Sequence, residues 1–239
     1  MILLFTDFGA SGPYVGQTMA VLRRLAPEVP AVDLQSDAPA FRPDLAGYLL
    51  ASLLPHAARA GDVIVAVVDP GVGGERAALA LRLDGSWLVG PDNGLFETAL
   101  RRAQVVETFA IAWRPEALSA SFHGRDLFAP VAARLARGSR DGLVPAAPSR
   151  WPDRPDDLPA IVHVDGYGNA VTGLRASALA PETVLRVAGR NLSRARTFAE
   201  VPTGEAFWYE NSIGLAEIAC NGGSAAAALG LAVGAGLEV

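Results

Sequence analysis

Residues 63–68, Val-Ile-Val-Ala-Val-Val, contain no polar side chain and are almost all β-branched. A run of this kind suits a strand buried on both faces, and such a strand needs cover above and below. The first half of the chain supplies that cover. Short apolar runs at 2–6, 31–34, 63–68, 77–83, 87–89 and 105–109 alternate with helical patterns over 14–25, 43–54, 95–102 and 125–137. The alternation predicts an α/β domain with a mostly parallel sheet flanked by helices.

Between 138 and 159 the chain becomes proline-rich, charged and aperiodic, which reads as a linker with a boundary near residue 155. Beyond it, strand patterns at 161–164, 170–174, 183–187, 197–201, 206–209 and 215–219 predict a smaller, β-rich, barrel-like domain. The expected domains are therefore 1–150 and 158–239.

Composition narrows the function classes. A net charge of -5 argues against broad nucleic-acid binding, and all 20 basic residues are arginine, which removes Schiff-base lysines and GK[ST]-type phosphate loops. The single cysteine, Cys220, forms no intramolecular disulfide or cysteine-based metal cluster, and the three histidines have no metal-ligand spacing. There is no positively headed signal peptide and no apolar run of ~18 residues, so a cytoplasmic protein without membrane association is expected.

Chemistry concentrates in two segments. Asp69 stands where the 63–68 strand stops, and Gly71, Gly73 and Gly74 let the chain turn closely before Arg76 enters the next strand. His123, in Ser121-Phe122-His123-Gly124-Arg125-Asp126, precedes a helix that Arg125 and Asp126 start and charge-balance. Taken singly, several candidates have structural readings. Asp69-Pro70-Gly71, Asp92-Asn93-Gly94, Asp165-Gly166 and Gly168-Asn169 are all turn signals, and the structural reading is preferred for 92–94. Glu217, an acid among apolar residues, points either to solvent or to a cationic group of a ligand.

With Thr6-Asp7-Phe8-Gly9, Gly90-Pro91-Asp92-Asn93-Gly94-Leu95, Asp165-Gly166-Tyr167-Gly168-Asn169 and Asn211-Ser212-Ile213-Gly214-Leu215, these segments lie in the order found in the adenosine-forming S-adenosylmethionine hydrolases. The chain resembles that family, and its fluorinase and chlorinase relatives, over nearly its whole length. The resemblance implies hydrolysis of S-adenosylmethionine to adenosine and methionine, with water attacking ribose C5′ and with no metal or cofactor. It assigns Asp69, Arg76 and His123 to the water. Arg76 stabilises hydroxide character, while Asp69 and His123 orient the water and accept its proton.

By the same resemblance Asp7 binds the ribose hydroxyls, Asp165 and Ser212 the amino-acid end, Asn169 the adenine edge, and Gly222 the adenine through its backbone. Tyr167 and Phe41 offer aromatic faces, and Glu217, in the ligand-facing of its two orientations, meets the substrate's ammonium group. A homotrimer with sites at subunit interfaces is implied as well. The alternatives are a halogenase and a non-catalytic adenosine-binding protein. The first is weakened because Asp69 and His123-Gly124 stand where the halogenating relatives carry tyrosine and Tyr-Ser. The second is weakened because all three candidate catalytic side chains are present.

Overall fold

The run at 63–67 lies inside a seven-stranded sheet in the computed structural model, which describes residues 1–239. The chain divides into two units, Met1–Pro152 and Asp153–Val239, each with its own apolar core. In the first unit β1 (Ile2–Thr6), α1 (Tyr14–Leu25), β2 (Ala31–Gln35), α2 (Pro43–Ala57) and β3 (Val63–Val67) alternate. They are followed by β4 (Ala78–Leu83), β5 (Ser86–Pro91), α3 (Glu97–Arg102), β6 (Val106–Ile111), α4 (Ala129–Ala136) and β7 (Leu143–Pro145).

The strand order is β2-β1-β3-β5-β4-β6-β7, parallel from β2 to β5 and antiparallel from β5 to β7. The direction changes at Asp84 and Gly85, whose φ angles of 48° and 92° make the two-residue hairpin turn that joins β4 to β5. Ile2, Leu4, Val63, Val65 and Val67 pack with Leu22 of α1 and with Val131 and Leu135 of α4. Their neighbours Leu3, Phe5, Ile64 and Ala66 point to the opposite face and are equally buried, while α2 packs on α3. Both faces are therefore covered. The chain leaves β1 for β2 on one side and returns to β3 on the other, which opens a crevice at the carboxyl ends of β1 and β3.

Three features of this unit depart from the sequence reading, each for a local reason. The helix expected over 125–137 begins as a π-turn, Gly124–Phe128, before α4. Pro130 has no N–H to continue an α-helical ladder, and the Ala129 N–H bonds to the Gly124 carbonyl instead. Much of the supposed linker is attached to the unit: β7 pairs with β6, and Ser149 donates to Asp92 at 2.9 Å. Arg150 and the Trp151 N–H donate to Glu97. Burial opposes ionisation of Glu97, yet Arg150, Arg101 and the Trp151 N–H outweigh it and hold its carboxyl down at about 2. Finally, β6 runs two residues further than expected, to Ile111, because β7 gives it a partner.

The second unit contains β8 (Leu158–Val164), β9 (Ala170–Arg175), β10 (Leu185–Val187), β11 (Arg190–Leu192), β12 (Ala206–Glu210), β13 (Leu215–Cys220) and the short α5 (Ala225–Leu229). An antiparallel sheet of order β12-β13-β9-β8 and the hairpin β10-β11 surround Trp208, Ile218, Leu174, Leu185 and Leu192. Single bridges close the ring: Gly236 pairs with Ala160 of β8, Glu238 with Arg186 of β10, and Arg194 with Trp208 of β12. The segment expected as a strand at 197–201 is instead a 3-10 turn, Phe198–Glu200, and the strand expected over 183–187 is confined to Leu185–Val187.

Candidate active site

Asp7 and Asp69 follow the carboxyl ends of adjacent parallel strands, and the Asp7 N–H donates to the Val67 carbonyl at 3.3 Å. The side-chain amide of Asn93 donates to the Val68 carbonyl at 2.8 Å and accepts from the Leu95 N–H, so this turn fixes the end of β3 one residue before Asp69. The loop that follows must then pass very close to residues 119–121. Gly73, at φ 79°, permits it: a Cβ there would lie 2.3 Å from the Ala120 carbonyl oxygen.

That approach brings Asp69, Arg76 and His123 into one chain of hydrogen bonds. Arg76 Nε donates to both carboxylate oxygens of Asp69, at 3.1 and 3.0 Å, and Nη2 donates to Asp69 Oδ2. Nη2 also lies 2.9 Å from His123 Nδ1. The guanidinium rests over the Phe128 ring at 5.4 Å. The group is largely out of solvent, with Arg76 and Asp69 side chains 12% and 4% exposed.

A guanidinium only donates, so His123 must accept at Nδ1 and carry its single proton on Nε2. Burial and then the Arg76 charge push the His123 pKa below its ordinary 6.5, against the opposing pull of Asp69. The ring is thus neutral near pH 7 and presents an N–H at Nε2. With Nδ1 facing Arg76, His123 offers the cavity a donor at Nε2, whereas the Asp69 carboxylate retains free lone pairs.

Asp69 and His123 line a cavity of about 600 Å3 together with Asp7 and Phe41. Asp7 Oδ2 accepts the Phe41 N–H at 3.1 Å. Burial raises the Asp7 pKa, the Phe41 N–H opposes that shift, and the Asp69 charge adds to it. Phe41 has φ 61° and a side chain 74% exposed.

Residues that the sequence reading did not assign to the site complete the wall. Phe8, Tyr14 and Phe122 meet edge to face or tilted, with centroids 5.4 to 6.2 Å apart. Arg125 lies 5.1 Å over Phe122, bonds Asp126, and donates to Gln17 at 2.8 Å. Phe8 and Phe122 adjoin Asp7 and His123 in sequence, which was the available signal, but their mutual contact depends on the fold.

The second unit has a separate pocket of about 660 Å3 lined by Asp165, Tyr167, Asn169 and Gly222, with Phe198 and Tyr209. Asp165 Oδ1 accepts the Tyr167 and Asn169 N–H groups at 2.9 and 2.8 Å, and Oδ2 accepts from Asn169 Nδ2 at 3.0 Å. Asp165 therefore shapes the turn and orients the Asn169 amide. Ser212 lies outside both cavities, exposed in the turn between β12 and β13. Glu217 is 5% exposed and absent from the pocket lining, so its carboxylate is open neither to solvent nor to this pocket. No group of three or more His, Cys, Asp or Glu side chains is placed to hold a metal ion, and no helix is long and apolar enough to cross a membrane.

Residues 2–142 match the family model of the SAM hydroxide adenosyltransferase N-terminal domain, and residues 159–238 that of its C-terminal domain. The chain is 40% identical to a Thermus thermophilus protein named (R)-S-adenosyl-L-methionine hydrolase, over 98% of this chain and 96% of the relative. A Salinispora arenicola protein of the same name is 39% identical, over 98% and 95%. A solved structure of a conserved Thermotoga maritima protein superposes with a TM-score of 0.86 at 28% identity, covering 99% of this chain and 98% of the other.

The electrostatics of the Asp69–Arg76–His123 group can be read by NMR titration of the histidine ring. His123 is expected to titrate below 6.5 and to show the Nε2–H tautomer at neutral pH. Because the folded value is depressed, its contribution to stability is complete above about 6.5 and is lost as pH falls through the folded pKa. In Arg76→Ala the opposing cation is gone and Asp69 remains, so the pKa should rise. An unchanged or lower value in that variant contradicts the arrangement.

Proposed function

The chain belongs to the SAM hydroxide adenosyltransferase family, and we propose that it hydrolyses S-adenosyl-L-methionine to adenosine and L-methionine by in-line attack of a positioned water on ribose C5′. The observation that carries this reading is that Arg76 joins Asp69 to His123 by hydrogen bonds, and that both of these partners, with Asp7, line a cavity sized for a small molecule.

In the reaction a bond forms from the water oxygen to C5′ while the C5′–S bond breaks, and sulfur leaves with its electron pair as a neutral thioether. The His123 Nε2–H holds one lone pair of the water, leaving the other to attack. Asp69 accepts the proton that the oxygen sheds, and Arg76 keeps Asp69 and His123 at a fixed separation while its charge offsets the developing hydroxide. Holding water in line is worth roughly 7–11 kcal/mol in favourable systems, enough to make a weak nucleophile competent. Asp7 accepts from the ribose hydroxyls. Two carboxylates at this site, Asp7 and Asp69, favour a neutral water over a halide anion. The chemistry requires no cofactor, because the substrate itself contributes the leaving group.

We place the adenine and amino-acid contacts in the second unit, with Asn169, Tyr167 and the Gly222 backbone at adenine and Asp165 and Ser212 toward methionine. In this reading the protein is a cytoplasmic homotrimer in which the second-unit pocket of one copy completes the cavity of its neighbour. Its support is that the two most exposed large apolar side chains, Tyr167 at 84% and Phe41 at 74%, each line one of these pockets, and exposed aromatics of this kind are enriched at interfaces. Heterologous contacts of one copy with the next close into a ring.

Reaction in oxygen-18 water tests the chemistry. The label should appear at the 5′ oxygen of adenosine and nowhere in methionine; label in methionine, or unlabelled adenosine, refutes direct attack at C5′. Mixing inactive His123→Ala and Asp165→Ala chains tests the assembly. Activity should return in part, because mixed rings contain interfaces with both residues intact. No recovery from mixed rings, or a fully active monomer, refutes shared sites.

A further inference from the structure

Glu217 combines two features that rarely coexist. It is 5% exposed, and it forms no salt bridge; the donors to its carboxylate are the Tyr209 hydroxyl at 2.6 Å and Asn211 Nδ2 at 2.8 Å, both neutral. A buried carboxylate balanced only by neutral donors is costly, so what its two donors do in the fold is the feature to account for. The place of Glu217 in the sheet bears on it. Tyr209 and Glu217 are directly opposite on antiparallel strands β12 and β13, on the face away from Trp208 and Ile218 of the core.

Each partner of Glu217 leads to a different part of the proposed substrate site. Tyr209 lines the second-unit pocket with Asp165 and Asn169, and its ring packs against Phe198 at 5.4 Å and Phe207 at 5.8 Å. Burial and the adjacent carboxylate push the Tyr209 phenol upward, so its oxygen stays protonated and its hydrogen is committed to Glu217. Asn211 accepts the Ile213 and Leu215 N–H groups at 3.1 and 3.0 Å, which sets the shape of the turn that carries Ser212.

We propose that Glu217 is a positioning residue whose one carboxylate fixes both the Tyr209 wall of the nucleoside pocket and the Asn211–Gly214 turn that presents Ser212 to the amino-acid end. The inference rests on the assignment of adenosine and methionine to the second unit made above. Glu217 touches neither fragment, and it aligns the two regions that do. It also departs from a direct contact between Glu217 and the substrate ammonium, which would leave Tyr209 without a role.

The test is calorimetric binding of adenosine and of methionine separately, with steady-state kinetics, on the full-length protein. Tyr209→Phe should weaken adenosine about tenfold and leave methionine nearly unchanged, because only the wall is loosened. Glu217→Ala should weaken both ligands about tenfold or more. Glu217→Gln, whose amide can donate to the Tyr209 oxygen and accept from Asn211, should recover most of that loss. In all three variants KM should rise more than kcat falls. Should Glu217→Ala fail to fold, Tyr209→Phe and Glu217→Gln still decide the matter. Tyr209→Phe binding adenosine like the unaltered protein, or Glu217→Gln losing methionine binding as a direct ionic contact would, overturns the positioning role alone. An unaltered protein that binds neither fragment overturns the site assignment beneath it as well.

Discussion

The fork of Arg76 is the interaction on which the proposed site depends. Its guanidinium reaches Asp69 through Nε and Nη2 and His123 through Nη2, and so joins a residue after β3 to one that begins the π-turn before α4. A lysine would offer a point charge without this fixed geometry. Because a guanidinium has only donors, Arg76 determines the histidine tautomer, and because it is shielded its charge acts across a short, poorly screened distance. Removing one partner would leave the others buried and incompletely paired, and the three side chains are therefore expected to behave as a unit.

The surrounding structure can be understood as what brings that fork to bear. The strand-order reversal at β1 places Asp7 beside Asp69, the Asn93 amide anchors the strand end, and Gly73 lets the loop pass within reach of Ala120. Pro130 breaks the helical ladder after His123, and the resulting π-turn places Phe128 beneath the guanidinium. Insertions of this sort inside helices are often found at functional sites. None of these features is catalytic, and each restricts where a catalytic group can lie.

The sheet and most of its helices were legible in the sequence because their hydrophobic periods are strong, and the β-branched run at 63–67 allows few alternatives. Glycines flanking Asp69 and His123 marked both segments, and the family resemblance singled out the residues. What stayed hidden depended on contacts distant in sequence. The proline-rich stretch through 152 looked like a linker because its partners, Glu97, Asp92 and β6, lie at least 32 residues earlier along the chain. The Phe8–Tyr14–Phe122 wall, the choice of donor at His123 and the covering of Glu217 on the non-core face of its strand likewise exist only once the chain is folded.

Turnover in a double-mutant cycle tests the central claim, that Asp69 and His123 work as one device through Arg76. Asp69→Asn and His123→Ala should each lower kcat by about 10²-fold or more, and the double variant should lose scarcely more than the worse single, as expected of groups acting on one water. Losses that multiply, with the double variant near 10⁴-fold, would mean that the two residues act independently and would contradict the account.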